Sequence, residues 1–144
     1  MKVPSAYTID ESLSIALTRG WGIVTDRDLL AHVRALAVDP RLRPHFRQFV
    51  DYMDVTTADV TRTGIRQLAE LNPFGAGARR AMAVGSDVVY GMARMYQAMS
   101  PGRDDEMEIF RDRDSAFEWL GVAAADRPGL LALLAQAPAI EASE

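Results

Sequence analysis

Hydrophobic residues in this chain switch repeatedly between a repeat of two and a repeat near 3.6, and no other feature restricts its possible folds more. Leu13, Ile15 and Leu17 alternate with Ser14, Ala16 and Thr18, the period of a half-buried strand. With "AYTID" before it and Asp10-Glu11-Ser12 as the turn, this run predicts a hairpin. In "TDRDLLAHVRALAVDP" the residues Leu29, Leu30, Val33, Leu36 and Ala37 recur at helical spacing. Thr25 and Asp28 match a capping box at its start, and Pro40 closes the region. "FRQFVDYM" predicts a short central strand ending near Asp51. A polar stretch, "DVTTADVTRTG", then leads into a helix carrying Ile65, Leu68, Ala69 and Leu71, which Pro73, Gly75 and Gly77 break.

The second half repeats the alternation. "RRAMAV" predicts a strand, Gly85 and Ser86 a turn, and "DVVYGMARMYQAM" a helix with Val89, Met92, Ala93, Tyr96 and Met99 on one face and Ser86 as N-cap. "EMEIF" predicts a last strand, followed by a helix capped by Asp112 and ended by Gly121. Strands that alternate with helices predict an α/β domain: a mostly parallel sheet with an antiparallel N-terminal hairpin, about five strands and four to five helices. Residues 1–121 are expected to form the domain. Residues 122–144, with "LLALLAQA", are expected to form a helical tail packing on the domain or on a second subunit.

Composition removes several function classes. The 144 residues suffice for one domain, and 49% apolar with 25% charged residues is ordinary for a globular chain. There is no cysteine and there are two histidines, His32 and His45, so thiol chemistry is excluded and a zinc site would rest on carboxylates. No metal and no cofactor is expected. A net charge of −4 argues against a nucleic-acid partner. The arginines Arg27, Arg34, Arg41, Arg43 and Arg47, and the acidic run from Asp104 and Asp105 to Glu118, read as solvated surface. Met1–Thr8 lacks the pattern of a secretion signal and no run approaches a membrane span, so a cytoplasmic location is expected.

Chemical motifs are sparse. A phosphate-binding glycine loop must follow a strand and open a helix, whereas "GAG" at 75–77 precedes a strand and Gly85-Ser86 leads into Asp87, which would repel an anion. Ser86, Thr61 and His32 do not make a nucleophile, a base and an orienting group, and Asp51 with Asp54 reads better as strand-end turn chemistry than as an acid/base pair. No catalytic residue is assigned.

The joint presence of "VGSDVVYGMARMY" and "IFRDRDSAFEWL", with "YTID", "RGWGIVTDRDLLAHVRAL" and "FRQFVDYMDVTTADV" before them, resembles the SpoIIAA-like family. That family is a branch of the STAS (sulfate transporter and anti-sigma factor antagonist) fold, comparable with CRAL-TRIO lipid-carrier domains, and the resemblance covers residues 7–121. It implies a non-enzymatic regulatory module that mediates protein–protein interaction. Antagonists of this fold carry a phosphorylated serine at the start of a helix, and Thr61 is the nearest counterpart here, although Arg62 follows where a small residue is usual. The alternative it implies is a carrier or sensor of a lipid-like apolar ligand, with reversible membrane contact weakly supported. Phe74, Met82, Tyr90, Met92, Met95, Tyr96 and Met99 are the ligand-binding candidates, because methionine-rich surfaces deform around varied apolar partners. The partner is thus expected to be a protein or an apolar small molecule, and a homodimer is plausible through an open sheet edge.

Overall fold

One sheet, in the order β5-β4-β3-β2-β1-β6, organises the chain. The computed structural model describes residues 1–100 and 106–142; Asp104 and Asp105 of the acidic run lie outside them. β1 (Lys2–Asp10) and β2 (Ile15–Thr25) form the expected antiparallel hairpin. Asp10 closes its turn: its carboxylate accepts from the Ser12 hydroxyl at 2.6 Å and the Leu13 N–H at 3.0 Å. β3 (Arg47–Asp59), β4 (Arg79–Val84) and β5 (Glu106–Phe110) follow, each parallel to its predecessor in the sheet.

Helices α1 (Asp26–Ala37), α2 (Arg62–Leu71) and α3 (Asp87–Ala98) are the crossovers between these parallel strands, and residues of all three pack on one face. From β5 the chain passes to the opposite face through α4 (Arg113–Trp119), makes a single 3-10 turn and continues as α5 (Arg127–Gln136). It reaches the far edge as β6 (Ala139–Glu141), antiparallel to β1.

The caps come from local chemistry. Thr25 and Asp28 make the reciprocal capping box of α1, Ser86 Oγ accepts from the Val89 N–H at 3.2 Å, and Asp112 Oδ1 accepts from the Ser115 N–H at 2.7 Å. Gly121, at φ +76°, takes the left-handed position just after α4.

Two expectations need adjustment. The sheet has six strands rather than about five, because β6 pairs with the N-terminal strand. β3 does not end near Asp51 but runs on to Asp59, and the supposed loop residues Thr57, Ala58 and Asp59 pair with Ile23, Val24 and Thr25. β2 likewise continues to Thr25. Main-chain hydrogen bonds between these two neighbours outweigh the polar composition of the extension.

Burial on both faces follows from strand alternation. On the α4/α5 face Leu17, Phe49, Ala83, Phe117, Leu130 and Leu134 are sealed, and the Phe49 and Phe117 rings stack with centroids 4.0 Å apart. On the α1–α3 face Val24, Val50, Val84, Ile65 and Val89 form a second core, which also contains Tyr52, Met82 and Met92.

Candidate functional site

On β3, residues Gln48, Val50 and Tyr52 share the α1–α3 face, and the parallel register sets Gln48 beside Arg80, Val50 beside Met82 and Tyr52 beside Val84 of β4. Polar side chains therefore stand inside a core that is otherwise apolar. They surround a cavity of about 70 Å³ roofed by α1, α2 and α3. Its position is unusual for a parallel α/β sheet, where ligands gather beyond the carboxyl ends of the strands. Gln48 and Arg80 lie in the opening residues of β3 and β4.

Hydrogen bonds tie the polar groups into a chain. Arg80 Nε donates to Gln48 Oε1 at 2.9 Å and Nη1 donates to the Tyr96 hydroxyl at 2.9 Å. The guanidinium also lies 5.2 Å from the Phe74 ring centroid and 5.4 Å from that of Tyr96. Since Arg80 can only donate, it fixes the Gln48 amide, whose Nε2 donates to Thr18 Oγ1 at 3.3 Å. Thr18 Oγ1 lies 2.8 Å from His32 Nε2. In the arrangement in which Thr18 accepts from Gln48, its hydroxyl donates to Nε2, which puts the ring hydrogen on Nδ1.

His32 is 8% exposed, and burial, with the nearby Arg80 charge, pushes its pKa down to about 4. The imidazole is neutral at pH 7. Its ring meets Tyr7 edge-on at 6.0 Å, and Tyr7 donates to Asp39 Oδ2 at 2.8 Å. Burial first, then the Asp39 hydrogen bond, raises the Tyr7 phenol to about 12.

Tyr52 differs from its neighbours. It lines the cavity at 4% exposure, yet among the described residues its hydroxyl has no hydrogen-bond partner. Burial holds its pKa well above the ordinary phenol range, against the opposing pull of Arg80, so the group remains protonated. Gly20 makes room for the ring: a Cβ there would stand 2.8 Å from Tyr52 Cε1.

Of the apolar ligand candidates, Phe74, Met82, Met92 and Tyr96 line this cavity. The other three do not. Tyr90 lies under the Arg111 guanidinium at 4.3 Å from its ring centroid, Met95 points outward at 36% exposure, and Met99 caps α3 while packing on the core edge. Thr61 caps α2, with Oγ1 accepting from the Gly64 N–H at 3.0 Å. Its hydroxyl and N–H also donate to Asp26, at the start of α1, at 2.5 and 2.9 Å. Asp26 sits so close that a Cβ on Gly64 would lie 2.2 Å from its carboxyl carbon.

Thr18, Gln48, Tyr52 and Arg80 were not singled out as site residues in the sequence. The available signal was period two: in "RQFVDYM" and "RRAMAV" the same alternation that buries Val50 and Met82 also turns Gln48, Tyr52 and Arg80 inward. The carboxylates considered for acid/base work form an ion-pair group instead, with Arg113 Nε 2.7 Å from Asp51 and Nη2 3.9 Å from Asp54.

No family model matches the chain, and no curated protein matches it. Among solved structures it is similar to an uncharacterized protein of the DUF3478 family from Shewanella loihica PV-4, described as having a SpoIIAA-like fold. The TM-score is 0.56 at 18% identity, over 83% of this chain and 95% of that one. The fold is therefore SpoIIAA-like.

Proposed function

We propose that this chain is a non-enzymatic binding and regulatory module of the STAS type that acts by contacting a protein partner. The observation that carries the reading is on the outer side of α3, where Val88 is 61% and Met95 36% exposed, seven residues apart with exposed Gly91 between them. Residues at this spacing form one stripe on a helix, and the small central residue lets a partner approach closely. The internal polar chain supports binding over catalysis, since His32 spends Nε2 on Thr18 and Ser86 spends its hydroxyl on capping α3.

Thr61 is the proposed phosphoacceptor of such a module. A phosphate there would repel Asp26 and break its link between α1 and α2, so modification would be felt by two helices. Self-association through the β6 edge belongs to the same proposal, and a native mass spectrum reads it directly.

The test is crosslinking of purified wild type and of Val88→Asp/Met95→Asp to co-expressed host proteins. A specific partner retained by the wild type and lost by the equally stable variant is the expected result. Identical crosslinks from both proteins would defeat the proposal.

A second reading, storage or sensing of a lipid-like apolar molecule, would place the ligand in the cavity beneath α1–α3. At about 70 Å³ it is well under the ~300–1,000 Å³ of ordinary ligand pockets, so an acyl chain does not fit it as it stands. Among the described residues no helix is long and apolar enough to cross a membrane.

A further inference from the structure

Beyond the partner-binding reading, and independent of it, we propose that the cavity beneath α1, α2 and α3 is a binding site for a compact, uncharged organic molecule with one hydrogen-bond acceptor, such as a short ketone. The Tyr52 hydroxyl is the donor that recognises it.

Two independent features point to this class. The first is Tyr52 itself: its ring is buried in the cavity wall while its hydroxyl makes no hydrogen bond to another described residue, so an acceptor in the cavity can receive one from it. The neighbouring polar groups are already engaged, Gln48 with Thr18 and Arg80, and Tyr96 with Arg80. The second is the shape and chemistry of the walls. Leu29, Val33, Val50 and Ile65 supply branched apolar surface, while Met82, Met92 and Met107 supply side chains that can yield.

Size and charge narrow the ligand further. A cavity of 150 Å³ accepts benzene, so about 70 Å³ suits roughly three to five non-hydrogen atoms, with methionine movement extending the range. The surroundings do not call for a charged guest. Arg80 and the Asp28 carboxylate act on the Tyr52 hydroxyl with opposite sign, and the lining draws both on the first turns of α1 and α2, through Leu29 and Ile65, and on the last turns of α1, α2 and α3, through Leu36, Leu68 and Tyr96, so the helix dipoles favour neither sign of charge.

The chain contains seven methionines, which provide the readout. Protein labelled with ¹³C at the methionine methyls is titrated with 2-butanone, which presents a carbonyl acceptor, and in parallel with 2-methyl-1-butene, its shape analogue without one. The expected result is saturable shifts of the Met82, Met92 and Met107 methyls, with Met1, Met53 and Met95 unmoved. Tyr52→Phe keeps the ring and its packing, and should weaken 2-butanone about fivefold, the equivalent of one neutral hydrogen bond, without changing 2-methyl-1-butene binding. Absence of saturation in the wild type, equal shifts at all seven methyls, or unchanged ketone affinity in Tyr52→Phe would each overturn the proposal. A cavity filled by water alone would give the first of these results.

Discussion

The two faces of the sheet are built on the same strands, yet they are packed in different ways. Beneath α4 and α5 the sealed centre is aliphatic or phenyl, with Phe49, Phe117, Leu130 and Leu134 each no more than 2% exposed, and the Asp51–Arg113 pair lines a groove beside Leu134. Beneath α1–α3 the corresponding strand positions hold Gln48, Tyr52 and Arg80, Met82 and Met92 join the core, and a cavity remains. Alternate residues of one strand thus serve separate ends. One face maximises close packing, and the other gives up some packing to hold polar groups around a space.

The sharpest way to break this comparison is to damage each face and compare the losses. Phe117→Ala removes a ring stacked on Phe49 from the sealed face and should cost about 3–5 kcal/mol in chemical denaturation. The polar face should instead show its weakness through pH. His32 has a folded pKa of about 4 against an ordinary 6.5, so the unfolded chain binds the proton first as pH falls. Stability should be fully present above pH 6.5 and decline by about 3 kcal/mol on acidification to pH 4. A His32→Gln variant should lose that slope, and an unchanged slope would mean that the ring is not the titrating group. Asp39 and Asp112 have depressed pKa values, so their contributions begin to fail below the ordinary carboxylate pKa, at the acid end of the His32 window.

Gly20→Ala comes next. The new methyl would press on the Tyr52 ring, and overpacking of this kind should cost about 1–3 kcal/mol and alter the tyrosine near-UV circular dichroism. Thr61→Ala removes the α2 cap and one bond to Asp26, for about 1 kcal/mol in thermal unfolding. Smallest is Tyr52→Phe, which deletes a hydroxyl that has no partner and should leave stability within about 0.5 kcal/mol of wild type.

What the sequence made legible divides along the same physical line between local and tertiary causes. Thr25 with Asp28, Ser86, Asp112 and Gly121 mark helix ends by bonds that span three residues or fewer, or by a single backbone conformation, and each is found where expected. The order of strands and helices was readable because period two and period 3.6 are properties of short windows. β6 was not, since Ala139–Glu141 becomes a strand through Lys2 and Ala6 at the other end of the chain. The outer half of β3 was lost for a similar reason, its polar residues being held by β2. Of the methionine and aromatic stripe on α3, Met92 and Tyr96 line the cavity, and the polar residues beside them stand on strands. Arg80, Gln48, Thr18 and His32 become a chain only when β2, β3, β4 and α1 are assembled.

The difference between the faces is tested most directly by a crystal structure determined under xenon pressure, because xenon enters dry apolar space without needing a hydrogen bond. The account predicts xenon density beside Tyr52, Met82 and Met92 and none between the sheet and α4 or α5. Xenon under Phe117, or none beneath α1–α3, would contradict it.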